Sequence, residues 1–164
     1  MNDTHSGPDA DPRPPAGFEP IFRSSPFLDL AGPLFYRKEP DGKGFVLGMR
    51  ILPKHANARG GAHGGLLLTL IDIALGYSAA FSREPPAILS TASVTADFVG
   101  GAKVGDWVEA HVDVQKVGGR LAFANCFLVV VDEDGGGGGG GERIVRASAV
   151  YARSSGALAD QQNG

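Results

Sequence analysis

The chain has 164 residues, of which 43% are hydrophobic, enough to bury the core of one globular domain with little left for a second. Its formal net charge is −3 and its Lys and Arg residues are scattered, which argues against a nucleic-acid-binding surface because phosphate contacts need clustered basic side chains. The one cysteine, Cys126, excludes an intramolecular disulfide and a cysteine-based zinc site, and it favours a reducing, cytoplasmic location.

The N-terminal segment, residues 1–25, is predicted to be a disordered tail. It is rich in Asp, Pro, Gly and Ser, and its start lacks the basic and apolar regions of a signal peptide. After it, Phe27–Leu30 predicts a short helical turn, and 33–37 and 45–52 predict two strands. The turn sequence 40–44 lies between these strands, so they should form a hairpin.

A long apolar segment should then form one helix, from about Gly64 to Ser82. A glycine-rich turn precedes this segment, and Pro85 and Pro86 follow it and cannot continue a helix. Polar residues interrupt the apolar run, and it is too short for a membrane span. No membrane association is therefore expected.

The remainder of the chain is predicted to be β-structure. Residues 91–98 and 108–115 alternate between apolar and polar side chains, which indicates strands with one face more exposed to solvent than the other. The sequence 117–120 is typical of a tight hairpin that leads into strand 121–131, and 143–153 forms the last strand. These elements predict an α+β fold with five or six strands around one long helix.

Seven consecutive glycines, Gly135–Gly141, connect the last two strands. Glycine has little conformational preference, so this run favours a flexible loop. A phosphate-binding role would need a nearby Lys in a P-loop pattern, which the sequence lacks. Residues 154–164 are predicted to be a flexible C-terminal tail.

A narrow stripe of small and polar residues runs along the predicted helix. At helical spacing Gly65, Thr69, Asp72 and Gly76 share one face, and the other faces are apolar. A helix that is apolar on most sides is buried, so the stripe should face a cavity, a packed backbone or another subunit. The alternative is an exposed face, which usually carries several long charged side chains. Asp72 is therefore a candidate general base or nucleophile.

The glycines at the helix start are candidates for binding a carbonyl oxygen. The first N–H groups of a helix have no intrahelical acceptor and gain partial positive charge from its dipole, so those of Gly64 and Gly65 suit an oxyanion. Alternatively, the glycines only permit a tight turn, and the two roles are compatible. Asp72 lies eight residues beyond Gly64, about 12 Å at roughly 1.5 Å per residue. One carbonyl cannot contact both groups, which predicts an obligate dimer with shared sites.

Other polar residues nearby are weaker candidates. His55 and His63 lack a third ligand at helical spacing, so no metal site is expected, and His63 should fix the loop by hydrogen bonds. Asn57 would offer its amide N–H to a water or carboxylate, or serve only as a turn residue. Ser78 lacks the sequence setting of a hydrolase elbow and Cys126 has no evident partner, so neither is expected to be a nucleophile.

Six residues around the helix start carry a resemblance to a known family. They are Asn57, His63, Gly64, Gly65, Asp72 and Gly76. In this order and spacing they resemble the PaaI-type acyl-CoA thioesterases of the hotdog-fold superfamily, over a domain of residues 26–153. The resemblance implies a long helix wrapped by a curved antiparallel sheet, paired into dimers with sites at the interface and often into tetramers.

The resemblance also implies a role for each matched residue. Asp72 is similar to the general base or nucleophile, and the Gly64 N–H to the group that polarises the thioester carbonyl. Asn57 resembles the residue that holds the attacking water or leaving group, and His63 the loop-orienting histidine. Thr91 is similar to a Ser or Thr that hydrogen-bonds the catalytic carboxylate in some members.

The hairpin from Gly118 to Phe123 resembles the segment that contacts the coenzyme A nucleotide. By this resemblance Arg120 would pair with a phosphate, and Gly119, Leu121 and Gly65 would also contact the substrate. A surface Arg beside a hairpin is also common in proteins without this role.

The sequence therefore predicts an acyl-CoA thioesterase that hydrolyses an acyl- or aryl-CoA thioester to a carboxylate and free coenzyme A, without a metal or redox cofactor. One alternative is a hotdog dehydratase or hydratase, although a catalytic His or Glu would be expected at the helix there. Another is a non-catalytic acyl-CoA-binding or oligomer-forming domain, because a fold alone does not confer activity. The expected assembly is a homodimer, and further a homotetramer, in the cytoplasm.

Overall fold

The computed structural model describes residues 11–40, 44–132 and 141–157. Within these ranges the chain forms two α-helices, seven strands and a short 3₁₀ turn at Pro53–His55. The helices are α1 (Pro26–Ala31) and α2 (Gly64–Phe81). The strands are β1 (Glu19–Pro20), β2 (Phe35–Lys38), β3 (Phe45–Arg50), β4 (Ala87–Phe98), β5 (Trp107–Val117), β6 (Leu121–Val131) and β7 (Glu142–Ala157).

The strands form one antiparallel sheet in the order β1-β2-β3-β5-β6-β7-β4. The helix α2 packs against its inner face. The prediction of a hotdog fold with one long helix and a curved antiparallel sheet is confirmed. The described part of the chain has one strand more than the five or six expected, because the two-residue strand β1 has no periodicity that a sequence pattern can reveal.

Part of the segment predicted as a disordered tail is folded onto the outer face of the sheet. Phe18 is 8% exposed, and its ring packs edge-on against Trp107 at a centroid distance of 5.0 Å. Arg50 donates to the backbone oxygen of Arg13 at 3.1 Å. An isolated aromatic residue in a Pro-rich segment gives no sign of such packing, because its partner lies far along the chain.

The helix α2 begins at Gly64 as predicted and ends at Phe81, one residue before the predicted end. His63 is its N-cap, with φ −68° and ψ 133°, and the His63 Nδ1 accepts the Gly65 N–H at 2.9 Å. Leu67, Leu70 and Ile71 are at most 2% exposed against the sheet. These three side chains each contribute roughly 1.5–3 kcal/mol of transfer free energy when buried.

The expectation that this segment is too short for a membrane span is wrong: by length and apolar composition alone α2 would suffice to cross a membrane, and it is the one such helix in the described ranges. Core helices of soluble proteins have the same composition. Ala74, Leu75 and Ala79 of this helix are fully buried in the hydrophobic core. The packing of α2 against the sheet therefore accounts for the apolar residues on its buried face.

The predicted strands are present: β4, β5 and β7 are longer than predicted, whereas β2 and β3 are shorter. The hairpin of β2 and β3 has Phe35 opposite Gly48, and β6 has the predicted bounds. The strand β4 starts at Ala87 rather than Thr91, and β7 continues to Ala157, past the predicted start of the C-terminal tail, because these two strands extend their pairing with each other. Of the glycine run only Gly141 is described, and residues 135–140 and 158–164 lie outside the described residues.

Candidate active site

The half-buried carboxylate of Asp72 lies where α2 passes over β4 and β7. Thr91 on β4 donates its hydroxyl to the Asp72 Oδ1 at 2.9 Å. The Tyr151 hydroxyl on β7 donates to the Asp72 backbone oxygen at 2.9 Å and approaches Oδ1 at 3.3 Å. The carboxylate is thus held in one orientation by hydroxyl donors from two neighbouring strands.

Tyr151 was missed by sequence reasoning, although it is the one large polar side chain among the alanines that face inward from β7. It is 2% exposed, and burial, together with the adjacent Asp72 carboxylate, raises the pKa of its hydroxyl. Tyr151 therefore stays protonated and remains a donor at neutral pH. Gly76 lies one turn beyond Asp72, and a Cβ there would be 3.4 Å from the Tyr151 ring. Gly76 and the Tyr151 ring are therefore close neighbours, and a methyl group at this position would make an ordinary contact with the ring.

Asp72 lines a cavity of about 350 Å³, which we call the reaction cavity. Apolar and aromatic side chains from α2 and β4 form most of its wall, and Thr91 and Tyr151 complete it near the carboxylate. Arg23, from the segment before α1, also lines it and has no ion-pair partner among the described residues. A mostly apolar cavity with a few converging polar groups is typical of a site for a small organic group.

The N-terminus of α2 presents one unused backbone donor. In the described part of the chain the Gly64 N–H has no acceptor, whereas the Gly65 N–H is bound by the His63 ring. Gly65 is exposed, and a Cβ added at Gly64 would lie 3.7 Å from the Phe98 ring. Of the two glycines predicted to bind an oxyanion, Gly64 is the one with a free N–H.

The loop before α2 is held by its own side chains. The Asn57 Oδ1 accepts the Arg59 N–H at 2.8 Å, and its Nδ2 donates to the Ala62 oxygen at 3.3 Å. The backbone N–H of His63 donates to the oxygen of His55 at 2.9 Å. Asn57 and His63 therefore both fix this loop.

His55 is 5% exposed and acts as an internal support of the same loop. Its Nδ1 accepts the Leu52 N–H at 3.0 Å. Burial, reinforced by the nearby charge of Lys54, lowers the pKa of His55 below its ordinary value. The ring is therefore neutral at physiological pH. No group of three or more His, Cys, Asp or Glu side chains in the described ranges is arranged to hold a metal ion.

The hairpin between β5 and β6 carries the residues predicted to contact coenzyme A. Gly119, Arg120 and Leu121 are exposed, and Arg120 and Leu121 line a surface pocket of about 470 Å³ together with Lys116. Arg153, two residues beyond Tyr151, donates its backbone N–H to the Arg120 oxygen at 2.8 Å. The hairpin is thus attached to the same end of β7 that supports Asp72.

Within one chain the structure brings together only some of the predicted site residues. Asp72 and Thr91 are in contact, whereas Asn57, His63 and Gly64 lie at the far end of α2 and do not line the reaction cavity. A complete site that uses both ends of α2 would need a second chain.

Comparisons with known proteins agree with this fold. Residues 59–136 match the family model described as the thioesterase superfamily. A Pseudomonas aeruginosa protein named "Putative esterase PA0474" is 54% identical over 114 residues, which cover 70% of this chain and 84% of that protein.

Two solved structures show the same fold at lower identity. The PaaI protein of E. coli, from the phenylacetic acid degradation operon, has a TM-score of 0.59 and 19% identity, and the match covers 69% of this chain and 74% of that one. The BH2602 protein of Bacillus halodurans, solved with CoA, has a TM-score of 0.60 and 19% identity, and the match covers 74% of each chain.

Proposed function

The chain belongs to the thioesterase superfamily, and we propose that within it the protein hydrolyses acyl- or aryl-CoA thioesters with Asp72 as the general base or nucleophile. One observation carries this proposal. A half-buried carboxylate, held by the Thr91 and Tyr151 hydroxyls, faces a mostly apolar cavity large enough for an acyl group. Among the described residues no cation forms an ion pair with this carboxylate, although Arg23 lines the same cavity, and a role in chemistry is a simple reason for the position of Asp72 there.

The proposed reaction follows from the positions of these groups. Acting as general base, Asp72 takes a proton from a water whose oxygen forms a bond to the thioester carbon. The negative charge that develops on the carbonyl oxygen is stabilised by the Gly64 N–H at a helix N-terminus. Collapse of this intermediate breaks the C–S bond, and the proton leaves with the coenzyme A thiol. Thr91 and Tyr151 keep the carboxylate oriented throughout.

We propose that Gly64 comes from a second copy of the chain. The strand β4 is at an edge of the sheet, so a second β4 can pair with it. Thr91, near the middle of β4, holds Asp72, whereas Phe98, the last residue of β4, packs beside Gly64. Antiparallel pairing of two β4 strands centred between Val94 and Thr95 would place Phe98 of the partner subunit opposite Thr91. This pairing would bring Gly64 of the partner subunit toward Asp72. One carbonyl group could then contact both, which the separation of Gly64 and Asp72 along α2 prevents within one chain.

The β5–β6 hairpin is the proposed contact for the coenzyme A nucleotide. Two cations, Lys116 and Arg120, line its surface pocket beside apolar Leu121, which suits a phosphate next to an aromatic base. The CoA-bound structure of the Bacillus halodurans protein supports a coenzyme A ligand for this fold. We also propose a cytoplasmic location, consistent with one buried thiol at Cys126, and a homodimer that pairs further into a tetramer.

The test is release of free thiol from a panel of aryl- and acyl-CoA thioesters. The parent protein should hydrolyse at least one of them, and Asp72→Asn should lower kcat by roughly 10²–10⁴-fold, the usual contribution of a general base. Asp113→Asn is the matched control, because Asp113 is an exposed carboxylate outside the reaction cavity. Hydration of an enoyl-CoA, or tight binding without turnover, would contradict the proposal, as would full activity of Asp72→Asn.

A further inference from the structure

Five aromatic rings form a cluster beside the reaction cavity. They belong to Phe22, Tyr36, Phe45, Tyr77 and Phe81. Phe22 is at the centre, because its ring contacts each of the other four, with the shortest centroid distance 5.1 Å and the longest 5.7 Å. Phe22 precedes α1 and lies outside the residues 59–136 that match the family model. The centre of the cluster therefore comes from the segment before α1.

Two cavities meet at this cluster. One is the reaction cavity, whose wall includes Tyr77 and Phe81. The other, which we call the second cavity, has a volume of about 370 Å³ and is bounded by Phe22, Phe45, Ser78 and Phe81. Phe81 borders both cavities, and Phe22 packs against both aromatic rings of the reaction-cavity wall. Phe22 and Phe81 therefore form the partition between the two spaces.

We propose that this partition sets the length of the acyl group that the site accepts, with Phe22 and Phe81 as specificity-determining residues. The inference rests on the proposed function, since it places the acyl group in the reaction cavity beside Asp72. A closed cavity of about 150 Å³ holds a benzene molecule. The reaction cavity, at about 350 Å³, admits an aryl or short acyl group, and a longer chain would have to pass the partition.

The exposure of these two rings supports a role in binding rather than in the core. Phe22 is 44% exposed and Phe81 is 40% exposed, whereas Tyr36 and Phe45 pack against the main hydrophobic cluster. Partly exposed aromatic rings contribute less to folding than buried ones, so they can be shortened with the fold intact. Removing either ring would join the two cavities and lengthen the apolar channel that begins at Asp72.

The test measures binding separately from hydrolysis. Non-hydrolysable S-alkyl-CoA thioethers with butyl and dodecyl chains are titrated by calorimetry into the parent protein and into Phe22→Ala and Phe81→Ala. Phe27→Ala is the matched control, because Phe27 is 60% exposed and borders neither cavity. Phe81→Leu is a milder variant that should give an intermediate shift, and circular dichroism checks the fold of each.

The parent should bind the dodecyl thioether no more tightly than the butyl one. In each of the two alanine variants the Kd of the dodecyl thioether should fall by at least about tenfold relative to that of the butyl thioether. Each newly buried methylene group increases the affinity by roughly fourfold. The proposed role of the partition is overturned if the ratio of the dodecyl Kd to the butyl Kd is unchanged in both variants. It is also overturned if the parent protein already prefers the dodecyl chain. Failure to hydrolyse any thioester, with a shifted thioether ratio, would overturn only the proposed function.

Discussion

Replacing Gly64 with proline tests the proposed carbonyl-binding role of one backbone N–H. Proline removes this hydrogen and is tolerated at the first position of a helix, which Gly64 occupies. The preceding residue must be extended before a proline, and His63 already has ψ 133°. A Cβ at Gly64 meets only the Phe98 ring, at 3.7 Å, which is an ordinary contact. The substitution therefore deletes a donor with little change to the fold.

The expected magnitude follows from the loss of one oxyanion donor, roughly 10²–10³-fold in kcat. Gly64→Ala keeps the N–H and should stay close to the parent. Steady-state release of thiol from the best acyl-CoA substrate gives kcat and KM, and the loss should fall on kcat because the donor acts on charge that develops during the reaction. Parental kcat in Gly64→Pro, or an equal loss in Gly64→Ala, would show that the Gly64 N–H does not bind the carbonyl oxygen.

Three further predictions concern positioning, packing and pH. Thr91→Val should lower kcat about tenfold by removing a hydroxyl donor to Asp72, with Thr91→Ser near the parent, in the same thiol-release assay. Gly48→Ala should cost about 1–3 kcal/mol in urea unfolding, since a Cβ there would be 2.3 Å from a buried indole, while Gly101→Ala, with nothing within 4 Å, should change little. The pKa of His55 is lowered in the fold, so the unfolded chain binds its proton more readily. The free energy of unfolding should therefore fall as the pH drops below about 6.5, and fall less in His55→Gln.

The elements with strong local signals were predictable from the sequence. The helix α2 follows from an apolar run between a glycine turn and Pro85, and its observed start at Gly64 matches. Alternation predicted β4 and β5, and the tight-hairpin sequence at 117–120 predicted β6 after it. The short strand β1 has no such pattern, and only its pairing with β2 defines it.

The site was predictable only where its residues lie close together in the sequence. Asp72 stands out as the one charge in an apolar helix, whereas Tyr151 reaches it from 79 residues away. No local pattern reveals a contact of that separation. Phe22 and Arg23 were missed for the same reason, since they belong to a segment whose composition resembles a tail. The catalytic role of each residue remains a prediction.

The central claim is that Asp72 of one subunit acts on a carbonyl held by Gly64 of the partner subunit, and a purified hybrid dimer tests it most directly. Asp72→Asn and Gly64→Pro chains with different affinity tags are coexpressed, and the mixed dimer is isolated with both tags. In a two-fold dimer with shared sites, one site then has both defects and the other has none. Shared sites predict thiol release at about half of the parental rate from this hybrid, with each homodimer nearly inactive. A hybrid as inactive as the two homodimers would contradict it, because each site would then lie within one chain.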